Sequence, residues 1–171
     1  MSQGFHRLTS RIEQAIQKNL CSSSTIGKFP ESLRSAIEYS VFPGGARIRP
    51  TILISVAKAC GDDMPEITDA AGSALEMIHC ASLVHDDLPC FDNGDTRRGK
   101  PTVHKAYGEN TAVLAGDSLI INAFNCLASV SKYSHTRSAN LTLFLSKYAG
   151  FPNGICAGQG WESESHIDLK S

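Results

Sequence analysis

This chain has no excess of charge of either sign. Lys and Arg number 16 against 17 Asp and Glu, a formal net charge of −1. It has no basic stripe and no interleaving of basic with aromatic residues, so nucleic acid is not an expected partner. Residues 1–20 lack the apolar run that a signal peptide carries. The six cysteines (Cys21, Cys60, Cys80, Cys90, Cys126 and Cys156) form no C-x-x-C pair. They read as reduced thiols of a cytoplasmic protein rather than a disulfide framework. Strand-like alternation, repeats and low-complexity tracts are absent too. Two apolar stretches, 67–84 and 111–130, approach the roughly 20 residues of a membrane span. The first is broken by Asp69, Glu76 and His79, and the second contains Asp117, Asn122 and Asn125. Both are expected to be buried helices of a soluble bundle, with no transmembrane segment.

What is present is helical periodicity. Phe5, Leu8, Ile12, Ile16 and Leu20 recur at three- and four-residue steps, which predicts an amphipathic helix. A Ser/Thr/Gly-rich break follows at 21–28. Pro30 opens a short helix that Pro43-Gly44-Gly45 ends, because proline cannot continue the ladder and glycine accepts positive φ. Pro50 opens the next helix, which stops at Gly61. A long helix runs from about 63–66 to Leu88, where Pro89 closes it. Its small residues, Ala70, Ala71, Gly72, Ala74 and Ala81, suit a buried helix in close contact with its neighbours. Further helices are expected at 103–108, 110–132, 136–149 and 153–164. The expectation is a single all-α domain over 1–171, with short connections between mostly antiparallel helices.

The most informative segment is 85–102, His85-Asp86-Asp87-Leu88-Pro89-Cys90-Phe91-Asp92-Asn93-Gly94-Asp95-Thr96-Arg97-Arg98-Gly99-Lys100-Pro101-Thr102. Carboxylates this close repel one another unless a cation lies between them. Hard oxygen ligands suit Mg²⁺, which takes one or two carboxylates together with substrate phosphates. Two adjacent arginines can fork onto phosphate oxygens. The segment therefore reads as a site for a metal-bound diphosphate, with Asp86, Asp87 and Asp92 as metal ligands. Asp86 and Asp87 end a helix, where the macrodipole is already negative, so neutralising cations are expected. A zinc site from His85, Asp86 and Cys90 lacks the usual paired spacing. Asp62-Asp63, between Gly61 and Pro65, reads as a plain turn.

This segment resembles the first aspartate-rich motif of the trans-isoprenyl diphosphate synthases, in its DDxxxxD form. Gly44-Gly45-Ala46-Arg47-Ile48-Arg49-Pro50 is similar to that family's GGKRxRP. Residues 76–85 match the stretch leading into the aspartates. Ala115-Gly116-Asp117 and Gly158-Gln159-Gly160-Trp161-Glu162 fall at its later GD and GQ signatures. The resemblance covers about 30–165 and implies an isoprenoid synthase-type bundle around a deep cavity, usually homodimeric. It also implies head-to-tail elongation, in which an allylic diphosphate condenses with isopentenyl diphosphate to give geranylgeranyl diphosphate or a similar product. On this basis Asp86, Asp87, Arg97 and Lys100 are the catalytic candidates, with Mg²⁺ on the aspartates. Arg47, His79 and Arg98 match the positions that hold isopentenyl diphosphate, and Lys100 and Gln159 those near the allylic unit. His85 has no assigned role. Ala81 and Ser82, five and four residues before the first aspartate, help to set the cavity floor. Relatives that make the C15 product have an aromatic ring there, so Ala81 implies a C20 product.

Two departures from the family pattern stand out. Ala46 replaces the usual lysine, and the family's C-terminal helices, with a second aspartate-rich motif, have no counterpart here; the tail at 162–168 is not that motif. A competing reading is accordingly a truncated, non-catalytic subunit or degenerate relative that pairs with a full-length synthase.

Overall fold

The computed structural model describes residues 2–21 and 30–164, with side chains from 7 to 20 in the first segment. The Phe5 side chain, the 22–28 part of the predicted break and residues 165–168 of the tail lie outside the described residues. Eight helices are present among those described. They are α1 (Ser2–Cys21), α2 (Glu31–Val41), α3 (Ile48–Ala59), α4 (Pro65–Asp86), α5 (Val103–Tyr107), α6 (Glu109–Ser129), α7 (His135–Ala149) and α8 (Ile155–Ser163). The expected all-α architecture holds, and the predicted helix ends lie within about three residues of those observed.

Helix α4 is the axis of the assembly, packing on α1, α3 and, most extensively, α6. Its small residues make this close contact possible. Ala74 and Ala81 are 1% exposed, as are Ile12 and Ile16 of α1 across the same core. Gly116 of α6 leaves room for the His85 ring, where any Cβ would collide. Helix α6 is long and apolar enough to cross a membrane by length and composition, but it packs against α2, α4, α5 and α7. The described cysteines Cys60, Cys80, Cys90, Cys126 and Cys156 are free thiols. Asp62 and Asp63 tie the 60–64 turn to other helices, Asp62 to Arg11 of α1 at 2.9 Å and Asp63 to Arg137 of α7 at 2.7 Å.

One element was not expected. Thr96–Arg97 (β1) and Lys100–Pro101 (β2) form a short antiparallel hairpin, with Arg97 opposite Lys100. Its two turn residues, Arg98 and Gly99, have φ of 54° and 77°. Positive φ at both central positions is what a type I′ turn requires. Asn-Gly or Asp-Gly would have signalled it, and Arg-Gly does so only through its glycine.

Candidate functional site

Three groups of residues meet at the C-terminal end of α4. The first is acidic. Asp86 is the last residue of the helix and Asp87 its C-cap. The chain then turns back, so that the Asp92 amide donates to the Asp86 carbonyl at 2.9 Å. Burial, then Asp92, and also Asp87 and Glu162 push the Asp86 carboxyl above its ordinary range, against the opposing pull of Arg97. Glu162, on α8, is thus a further carboxylate acting on the same point. A divalent cation relieves such repulsion, and Asp86 with Asp92 supplies the one or two carboxylates that Mg²⁺ ordinarily takes.

Asp87 plays a different part. It is 4% exposed, and Arg97 grips it through a two-pronged contact, with Nε and Nη2 each 2.7 Å from a carboxylate oxygen. Its negative charge is already matched by this pairing. Among the described residues no three His, Cys, Asp or Glu side chains converge as a ready-made metal cage, which covers both the three-aspartate grouping and the His85/Asp86/Cys90 alternative. The donor set suits a cation shared with a ligand's own oxygens.

The second group is cationic. Arg98, at the hairpin tip, rests against the Gly45 backbone, where an added Cβ would lie 3.1 Å from the guanidinium. His79, half-buried on α4, has its pKa lowered by burial and then by the field of Arg49, with Arg98 and Arg97 adding to it. Lys100 reaches the carbonyls at the end of α2, donating to Tyr39 and, at 3.0 Å, to Phe42, with its Nζ 3.8 Å from the Tyr39 ring centre. Burial and the charge of Arg98 lower its pKa. Arg97, Arg98 and Lys100 line one small crevice with Tyr39 and Cys80.

Arg47 does not join them. It is the N-cap of α3, with φ of 48°, and 3% exposed. Its guanidinium is bound to Glu13 at 2.7 Å, Glu76 at 2.8 Å and the Val41 carbonyl at 2.8 Å. Glu76 is 2% exposed, and a buried carboxylate needs a cation partner. That need accounts for Arg47, which lies in this buried ion-pair group and not on the cationic surface near Arg98. Arg49, two residues on and exposed, is the cation whose field reaches His79. Sequence reasoning also passed over Glu162, although its spacing of three from Gln159 puts both on one helix face.

The third group is apolar. A cavity of about 610 Å³ is lined by α4, α6, α7 and α8. Along α4 its lining runs Ile78, Ala81, Ser82, His85, Asp86, a row about 12 Å long that passes from apolar to acidic. Phe124 faces it from α6 and Gln159 from α8. Asp86, Gln159, Ala81 and Ser82 are therefore brought to one space.

Residues 30–170 match the polyprenyl synthetase family. The chain belongs to that family. It is 60% identical over 162 residues to the geranylgeranyl diphosphate synthase of Rhodobacter capsulatus, covering 95% of this chain and 56% of that one. It is 55% identical to the geranylgeranyl diphosphate synthase of Cereibacter sphaeroides, covering 94% and 57%. A geranyltransferase structure from Legionella pneumophila superposes with a TM-score of 0.86 at 35% identity, covering 98% of this chain and 59% of that one. The fold is thus the all-α isoprenoid synthase fold. The chain spans little more than half the length of these three relatives.

Proposed function

We propose that this chain forms the diphosphate-binding part of a trans-prenyltransferase site, for condensing isopentenyl diphosphate with an allylic diphosphate to geranylgeranyl diphosphate. One juxtaposition carries the reading: the acidic end of α4 opens on a 610 Å³ apolar cavity that Ala81 and Ser82 line. That pairing suits a ligand with a multiply charged head and a long hydrocarbon tail. Mg²⁺, when bound, supplies positive charge at the diphosphate oxygens. Asp86 and Asp92 would hold it, with Glu162 adding to the negative field there. Arg97, anchored on Asp87, keeps its charge beside the same point, 3.7 Å from Asp86. Arg98 and Arg49 form the cationic surface for the second diphosphate, with His79 and Lys100 beside them. As the allylic C–O bond breaks, the electron pair leaves with the diphosphate, and fixed cations stabilise the growing negative charge. The apolar wall keeps water from the allylic carbon. The double bond of isopentenyl diphosphate forms the new C–C bond; a C–H bond then gives its electron pair to a new double bond and its proton to the released diphosphate. Pairing with a second copy, or with a related synthase, is supported by an exposed apolar row on α6 (Val113, Leu114 and Ile121).

Calorimetric titration with a non-hydrolysable C15 allylic diphosphate tests the reading. Binding should require Mg²⁺ and should be lost in Asp86→Asn. Equal binding without Mg²⁺, or in the variant, overturns it.

A further inference from the structure

His104, on the short helix α5, is 7% exposed, and its Nε2 has no hydrogen-bond partner. Its other nitrogen, Nδ1, lies 3.1 Å from the Thr102 hydroxyl. Thr102, 2% exposed, is the N-cap of α5, yet its side chain makes no cap. Its Oγ1–H is directed instead at the Gly94 carbonyl, 2.8 Å away. Since that hydroxyl proton is committed to Gly94, the oxygen can only accept from His104. Nδ1 therefore carries a proton and is the donor of this pair. The order of donation is His104 Nδ1–H to Thr102 Oγ1, then Thr102 Oγ1–H to Gly94 O.

Gly94 is where this chain of bonds meets the acidic loop. Its amide donates to the Asp87 carbonyl at 3.1 Å, and a Cβ on it would lie 2.9 Å from Asp87 Oδ1. The loop thus rests directly on the carboxylate that Arg97 grips. A second tie joins the same segments, as the Thr102 amide donates to the Asp95 carbonyl at 3.1 Å. Asp92 stands two residues before Gly94, in the stretch between these ties and the Asp86 carbonyl.

We propose that Thr102 and His104 are positioning residues, a latch that holds the 90–95 loop where Asp86 and Asp92 share one divalent cation. The proposal rests on the reading of those aspartates as metal ligands. The latch itself touches neither metal nor substrate. It acts through Gly94, and a directional chain of hydrogen bonds at a buried position fixes a loop more narrowly than packing alone. Losing such an outer support typically lowers metal affinity by about 10–100-fold.

The test uses four forms of the full chain: wild type, Thr102→Val, His104→Asn and His104→Gln. Asparagine can place an amide N–H where Nδ1 stood; glutamine places its amide near Nε2 and lacks the Nδ1 donor. Far-UV circular dichroism first establishes that each variant is folded. Hydrogen exchange then follows the amides of Asp92 to Asp95 in the free protein, and calorimetry measures Mg²⁺ affinity in the presence of inorganic diphosphate. Faster loop exchange and about ten-fold or greater loss of Mg²⁺ affinity are expected in Thr102→Val and His104→Gln, with recovery toward wild type in His104→Asn. If wild type binds Mg²⁺ and diphosphate while Thr102→Val and His104→Gln match it in affinity and exchange, the latch is wrong and the metal assignment stands. If asparagine and glutamine are equally damaging, the directional bond is wrong. If wild type binds no Mg²⁺ with diphosphate, the metal assignment fails and the latch with it.

Discussion

Arg47 and Arg49 should separate cleanly on substitution. Arg47→Ala removes a guanidinium that is buried between Glu13 and Glu76 and also satisfies the Val41 carbonyl. Glu76, 2% exposed, is then left as an unmatched buried charge. Breaking one side of a buried ion pair costs about 3–5 kcal/mol. For a chain of this size each kcal/mol lowers Tm by about 2–4 °C, so a drop of roughly 6–20 °C is expected. Arg49→Ala removes an exposed side chain and should leave Tm nearly unchanged. Its effect should fall on diphosphate affinity, by about the 1.5–3 kcal/mol of a hydrogen bond to a charged group, or roughly ten-fold and upward. Thermal melts and titration with Mg²⁺ and isopentenyl diphosphate measure both quantities on the same preparations. Lost affinity with an unchanged Tm in Arg47→Ala would refute the structural role given to Arg47. A double variant, Arg47→Met with Glu76→Leu, should recover much of the stability, because the buried carboxylate goes with its partner.

Other outcomes follow from the same geometry. Ala81→Phe should fill the cavity at a cost of about 1–3 kcal/mol; in a synthase completed with a relative's C-terminal half it should shift the product from C20 to C15, and an unchanged chain length by chromatography would count against the cavity-floor role. The imidazole of His79 should titrate below the ordinary histidine range in NMR, because burial and Arg49 disfavour its charged form. Its folded pKa is lowered, so its contribution to stability is intact above the unfolded value and is lost as pH falls through the folded one. Bound diphosphate should raise that pKa, and a value unmoved by the ligand would remove His79 from the site. Glu162→Gln should lower the Asp86 pKa and weaken Mg²⁺ affinity in the presence of diphosphate, and an unchanged metal titration would exclude Glu162.

Much of the scaffold is legible in the sequence because its boundaries are marked by chemistry that acts locally. Gly61 and Pro89 stop helices for backbone reasons, and the small-residue face of α4 can be satisfied only by burial. The acidic and basic runs around Asp86 and Arg97 are likewise local. What escapes is pairing across the fold. Arg47 and Arg49 look alike in the sequence, and the partners that hold Arg47 inward include Glu13 and the buried Glu76, 34 and 29 residues away. Asp86, Asp87 and Asp92 look like three equal ligands, yet Asp87 is taken by Arg97 across a hairpin that lacks the usual turn residues. Glu162 comes to Asp86 only through the return of α8.

The hairpin also has a mechanical consequence. Arg97 and Lys100 form one rung of a two-pair ladder, and each is anchored on a different helix, Arg97 on the C-cap carboxylate of α4 and Lys100 on the last carbonyls of α2. The hairpin is therefore a strut between two helix ends. A displacement of α2 away from α4 would load the Lys100 contacts first and, through the paired strands, the Arg97–Asp87 contact. Crowding or dislodging Tyr39, well outside the acidic cluster, would be felt at the carboxylates through this strut.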